Sequence, residues 1–138
     1  MGKRVLLIED EPNIIEAIRF LLSRDGWEVQ THSNGSTALD AVGRHRPDVV
    51  ILDVMLPDRS GYDILADLRA DPVHADLPVL MLTARGQTRD REMAGRLGAD
   101  MFMTKPFANS EVREAVRQLH ERAHEPGPAQ DASGAPLP

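Results

Sequence analysis

Residues 49–57 read VVILDVMLP. Four branched apolar side chains, Val49 to Leu52, run directly into a carboxylate, Asp53. An unbroken apolar run of this length suits a strand covered on both faces, as in a parallel sheet, better than a half-exposed strand, which would alternate. A buried acid without a partner is costly. Asp53 therefore either reaches a surface or has a partner.

Comparable runs lie on both sides of this one. Val5–Ile8 and Val79–Leu82 are also unbroken, Met101–Met103 is shorter, and Trp27–Thr31 alternates, as an edge strand does. Helical patterns fill the gaps between them. PNIIEAIRFLLSRDG offers Pro12 as a first helical residue, a stripe of Ile14, Ile15, Ile18, Leu21 and Leu22, and Gly26 as a stop. STALDAVGRH carries Ala38, Leu39, Ala41 and Val42, and GYDILADLRAD carries Ile64, Leu65 and Leu68. EVREAVRQLHER places Val112, Ala115, Val116 and Leu119 on one face. TRDREMAGRLG has only Met93, Ala94 and Leu97 to turn inward, which marks it as the candidate mobile helix. The order is βα five times over. It predicts an α/β fold with a doubly wound, five-stranded parallel sheet and right-handed crossovers.

The totals agree. The chain has 138 residues, 41% hydrophobic and 28% charged, an ordinary balance for one domain with a real core. The net charge of −6 argues against direct nucleic-acid binding, which a basic domain would favour. There is no cysteine, which excludes disulfides, thiolate chemistry and zinc–cysteine sites. The first apolar run is too short for a signal-peptide core or a membrane span, so a soluble, cytoplasmic protein is expected. From about Glu125 the sequence EPGPAQDASGAPLP holds four of the ten prolines and no apolar period. The expected division is a folded domain over residues 1–122 and a disordered tail or linker over 123–138.

In open α/β sheets, ligands bind beyond the carboxyl ends of the strands, at the topological switch point. Glu9, Asp10 and Glu11 follow the first strand, Asp53 the third, Thr83 and Ala84 the fourth, and Thr104, Lys105 and Pro106 the fifth. If the first and third strands are neighbours, Glu9, Asp10 and Asp53 crowd together and repel unless a cation joins them. An all-oxygen set with room for water suits Mg²⁺, or Mn²⁺ in its place. Such a metal keeps open positions for phosphate oxygens. A carboxylate can act as a nucleophile toward phosphorus, giving an aspartyl phosphate. The metal and the Lys105 ammonium would neutralise the phosphoryl charge, and the Thr83 hydroxyl would bond another of its oxygens.

At these residues the sequence resembles the receiver domain of bacterial two-component response regulators. VLLIEDEP, DVVILDVMLPDRSGYD, PVLMLTA and GADMFMTKPF occur in the family's order, spread over roughly residues 3–122. The resemblance implies a flavodoxin-like (βα)₅ fold, as in chemotaxis regulators, with strand order 2-1-3-4-5. It implies that Asp53 is the phosphoacceptor, charged by a sensor histidine kinase or a histidine phosphotransfer protein. Asp10, Asp53, the Met55 backbone carbonyl and Glu9, directly or through water, would hold Mg²⁺. Lys105, Thr83 and the small Ala84 would receive the phosphoryl group, and a cis Lys105–Pro106 peptide would aim the lysine. Thr83 and Phe102 would move together as the switch that remodels the face made by the fourth and fifth helices and the fifth strand (the α4-β5-α5 face) toward partners. The kinase would dock around Asn13 to Phe20, and the side chains at Met55 and Arg85 would influence autodephosphorylation.

The sequence departs from the common family pattern in three places. Glu9 stands where many relatives have Asp, which shifts that carboxylate outward by a methylene. Phe102 stands where many have Tyr, so its two positions would be told apart by packing alone. Receivers of the winged-helix transcription-factor branch often read GADDY and carry an Arg midway along the last helix, and these groups pair across an α4-β5-α5 dimer. Here those positions are Met101 and Ala115, so phosphorylation is not expected to drive that dimer.

Each site residue also has an ordinary structural reading. Asp53 could turn the chain at a strand end, and Glu9–Glu11 could complement a helix dipole, the role assigned to Glu11. Thr83 could be a plain strand residue, Lys105 a solvated lysine and Phe102 a core aromatic. The five histidines show no ligand spacing, and Arg85, Arg89, Arg91 and Arg96 suit a solvated face. Two other functions also use related parts. A haloacid-dehalogenase-type phosphatase needs a second acid two residues after its nucleophile, and that position is Met55. A flavodoxin-like FMN carrier needs a hydroxyl- and glycine-rich loop after the first strand, where EDEP would repel phosphate. The expected protein is a signalling switch that phosphorylates and dephosphorylates itself, with a downstream protein target or a joined output domain.

Overall fold

The computed structural model describes residues 3–84 and 88–123. Arg85 and the tail from residue 124 lie outside the described residues. The elements alternate as β1 (Lys3–Ile8), α1 (Pro12–Arg24), β2 (Trp27–His32), α2 (Ala38–His45), β3 (Val49–Asp53), α3 (Gly61–Ala70), β4 (Val79–Thr83), α4 (Thr88–Leu97), β5 (Met101–Thr104) and α5 (Asn109–Ala123). The five strands form one parallel sheet in the order β2-β1-β3-β4-β5. The chain reverses its direction of travel between β1 and β3, which makes their carboxyl ends the switch point.

Sidedness follows from the period of two along each strand. Leu6, Ile8, Val50, Leu52, Val79 and Met81 point to one face, where Ala41, Val42, Ile64, Leu65, Leu68 and Ala94 from α2, α3 and α4 cover them. Val5, Leu7, Val49, Ile51, Leu80 and Leu82 point to the other, under Ile18 and Leu22 of α1 and Val112, Ala115, Val116 and Leu119 of α5. β3 is buried along its whole length, Asp53 included. β2 is the edge strand that its alternation predicts, mostly half-buried.

Local chemistry sets the helix ends. Pro12 opens α1, and Ser60 caps α3 by accepting a hydrogen bond from the Tyr62 N–H at 3.1 Å. Two details differ from the sequence pattern. Residues 35–37 form a short 3₁₀ turn rather than the first turn of α2. In α4 only Ala94 is buried, while Met93 is 38% exposed and Leu97 half-buried. Ala94 and the half-buried Leu97 are what α4 presents to the core, which leaves Met93 outside the covered stripe.

Candidate functional site

Strand register brings the polar residues level. Ile8 lies opposite Leu52, so Glu9 stands beside Asp53, and Thr83 lies opposite Thr104. The ladder continues one step past the strands. Glu9 N–H donates to the His32 carbonyl (3.0 Å), Val54 N–H to Leu82 (2.9 Å) and Lys105 N–H to Thr83 (2.7 Å). The backbone itself therefore fixes the floor of the site.

Asp53 is 1% exposed. Its Oδ1 accepts a hydrogen bond from the Met55 N–H at 3.2 Å and lies 3.3 Å from Lys105 Nζ. Its Oδ2 is buried and has no hydrogen-bond partner among the described residues. The chain leaves the strand through Val54, whose carbonyl accepts from the Gly61 N–H at 2.9 Å. That return is tight: a Cβ on Gly61 would stand 2.3 Å from the Asp53 carbonyl oxygen.

Glu9 is fully buried. Its extra methylene lets the carboxylate fold back over the start of α1, where Oε2 accepts hydrogen bonds from the Asp10 and Glu11 N–H groups, both at 3.1 Å. The other oxygen, Oε1, lies 3.0 Å from Lys105 Nζ without forming an aligned hydrogen bond. Burial pushes the Glu9 carboxyl above its ordinary value, helped by the Asp53 charge and opposed by the Glu11 N–H and Lys105.

Lys105 follows β5, and its peptide bond to Pro106 is cis. The ammonium meets three carboxylates, those of Glu9, Asp53 and Glu11, at 3.0, 3.3 and 3.3 Å. Burial pulls its pKa down, but the carboxylates together outweigh burial and the net shift is upward. Thr83 ends β4, buried, and Ala84 after it is exposed. Met55 is 58% exposed beside the site. Phe102 in β5 is half-buried against the α2–α4 face of the core.

Ligand oxygens of Glu9, Asp10 and Asp53 all lie within 4.8 Å of one another. Such an all-carboxylate set fits a hard divalent cation. The Asp53 Oδ2 fits it too: a buried carboxyl oxygen without a donor among the described residues is well placed to meet a cation.

Three residues matter here that the sequence pattern did not single out for these contacts. Glu11, assigned above only to the helix dipole, accepts a hydrogen bond from Lys105. Asp58, in the loop between Asp53 and α3, accepts from the backbone N–H groups of Gly35 (2.8 Å) and Ser36 (2.9 Å). Those donors, Ser36 first, hold its carboxyl below the ordinary value. Arg91 of α4 stands over the Phe102 ring.

Residues 5–117 match the profile of the response regulator receiver domain. The chain belongs to the response regulator receiver family. Its relatives include the transcriptional regulatory protein KdpE of Mycobacterium tuberculosis, 46% identical over 118 residues, covering 83% of this chain and 51% of KdpE. Another is the alkaline phosphatase synthesis transcriptional regulatory protein PhoP of Bacillus subtilis, 36% identical over 131 residues, covering 95% of this chain and 54% of PhoP. The receiver thus spans about half the length of the curated relatives it matches. Among solved structures it is similar to the receiver domain of a Pseudomonas aeruginosa sensor histidine kinase with a magnesium ion coordinated in its active-site cleft (TM-score 0.79, 28% identity, 87% of this chain and 98% of that one). It is also similar to chemotaxis protein CheY4 of Vibrio cholerae (TM-score 0.81, 26% identity, 86% and 99%). Among the described residues no helix is long and apolar enough to cross a membrane.

Proposed function

We propose that this receiver accepts a phosphoryl group on Asp53 from a phosphohistidine of a sensor histidine kinase or a histidine phosphotransfer protein. The observation that carries this reading is the buried Asp53 at the end of the central strand, with one oxygen unpartnered and the other beside Lys105. An Asp53 oxygen attacks phosphorus, an O–P bond forms, and the P–N bond to the donor imidazole breaks with its electron pair left on nitrogen. Bound Mg²⁺, with Mn²⁺ as its substitute, supplies positive charge to the phosphoryl oxygens. Glu9, Asp10, Asp53 and the Met55 carbonyl are the groups that would hold it.

Lys105 provides the second positive charge, the Thr83 hydroxyl a hydrogen bond, and Ala84 the space for a phosphoryl oxygen to approach. Thr83 and Phe102 then shift together and alter the α4-β5-α5 face, through which a joined output domain or a separate protein is controlled. In this reading the receiver is a cytoplasmic switch rather than an enzyme with an outside substrate, and its only catalysis is on its own phosphorylation state. Residues 1–122 form the switch and 123–138 a tail or linker. The net charge of −6 supports protein partners rather than nucleic acid for the receiver itself.

The test is incubation with acetyl phosphate and Mg²⁺, read by intact mass. Wild type gains one phosphoryl group, which Asp53→Asn does not. Equal labelling of the two proteins refutes the assignment of Asp53.

A further inference from the structure

Lys105 has three N–H donors, and three carboxylates surround them. Those carboxylates are not held alike. Glu9 is fully buried and tied to two backbone N–H groups. Asp53 is 1% exposed and is itself the proposed acceptor. The Glu11 side chain is 59% exposed, makes no capping hydrogen bond to α1, and reaches Lys105 through one contact of 3.3 Å.

We propose that Glu11 restrains phosphoryl transfer at Asp53 by occupying a donor of Lys105 that the phosphoryl group needs. The proposal rests on the phosphoacceptor role of Asp53. Lys105 donates an aligned hydrogen bond to Glu11, so an arriving phosphoryl oxygen must take that donor from Glu11. Glu9 has no freedom to leave. Glu11 does, because an exposed ion pair is weak and its water-facing carboxylate is readily resolvated. While it stays, its negative charge also stands at the rim that an anionic donor approaches, and it repels that donor. Glu11 is therefore a positioning residue that acts through Lys105: its release precedes productive contact, and its return favours the empty site.

Three variants separate this role from helix stabilisation. Glu11→Gln keeps the shape and loses the charge. Glu11→Asp keeps the charge at the α1 N-terminus but is one methylene too short for Lys105. Asp53→Asn reports on the underlying assignment. Phosphorylation by acetyl phosphate with Mg²⁺ is followed by mass, and the Lys105 ammonium is followed by ¹⁵N NMR in metal-free protein. Glu11→Gln is expected to phosphorylate about 2- to 5-fold faster, the range that breaking one exposed ion pair allows. Glu11→Asp is expected to accelerate in the same direction, and both variants should shift the Lys105 ammonium signal. Unchanged or slower labelling of Glu11→Gln overturns the proposal. So does a wild-type rate in Glu11→Asp, because the charge at the helix end would then suffice. If Asp53→Asn labels like wild type, the acceptor assignment falls and this proposal falls with it. If only wild type and the Glu11 variants label, the rates alone decide.

Discussion

The Arg91 guanidinium lies over the ring of Phe102, 5.0 Å from its centroid. Arg91 is exposed on α4 and Phe102 half-buried in β5, so the contact bridges two elements of the face proposed to signal. A phenylalanine at this position lacks the hydroxyl that a tyrosine would offer, and packing alone was expected to separate its two positions. A cation held over the ring adds an electrostatic preference for the position seen here.

That preference is measurable. A cation–π contact at an exposed site contributes about 0.5–1 kcal/mol. If it favours the resting position of Phe102, Arg91→Ala should tighten binding of the phosphoryl mimic beryllofluoride about 2- to 5-fold, since it removes interaction from one state only. Calorimetric titration in Mg²⁺ checks this. Unchanged affinity would show that the contact does not discriminate between the states.

Asp58 governs a different part of the site. It ties the loop that carries Met55 to the N–H groups of Gly35 and Ser36. Its folded pKa lies below the ordinary 3.8. The stabilisation it gives is therefore complete above the unfolded value and is lost as pH falls through the folded value. Asp58→Ala should melt below wild type at neutral pH, and the gap should close below about pH 4. Asp58→Asn, with one acceptor oxygen instead of two, should fall between them. The same loosening should weaken Mg²⁺ binding, read by calorimetry at neutral pH. A melting gap that stays constant into acid would exclude a carboxylate clamp.

The sequence pattern reveals some of these features and hides others for physical reasons. The strands are legible because a strand buried on both faces must be apolar throughout, and the polar residues that follow β1, β3, β4 and β5 then mark one edge of the sheet. Register converts that edge into a cluster, as the pairing of Ile8 with Leu52 shows. The width of a covered helix face is not legible: Met93 has the same spacing relation to the core as its neighbours, yet 38% of it is exposed. Contacts made across the fold are hidden for the same reason. Glu11 and Lys105 are 94 residues apart, and Asp58 is 22 or 23 residues from its donors. Nothing in a local pattern ties an acid in a turn to a donor in another turn.

Gly61 gives a sharper test of how tightly the end of β3 is closed. A Cβ there would meet the Asp53 carbonyl oxygen at 2.3 Å and Val54 Cα at 2.9 Å, both backbone atoms with little freedom to yield. Overpacking of this kind costs about 1–3 kcal/mol. Gly61→Ala should lose that much in urea unfolding. It should also label slowly with acetyl phosphate, because relief of the clash displaces Asp53, the proposed acceptor. An unfolding midpoint equal to wild type would mean that the loop opens freely.

Oligomeric state on activation is the remaining prediction. The dimer known from the winged-helix branch needs acid–arginine pairs across the α4-β5-α5 face, and the two positions in question are Met101 and Ala115. Met101 is half-buried against the α5 side of the core, and Ala115 is 7% exposed within it. The neighbouring arginines of α5 are engaged within the chain. Arg113 holds both oxygens of Asp25 at 2.8 and 2.9 Å, and Arg117 pairs with Glu114 and Glu121. Exposed pairs of this kind are weak singly. Even so, an intermolecular set would have to replace them without the acid at 101 or the arginine at 115. The receiver should therefore sediment as a monomer both without ligand and with Mg²⁺ and beryllofluoride. A tight dimer that forms only with the mimic, and that a charge reversal such as Arg91→Glu on α4 disrupts, would show that the face dimerises through other pairs.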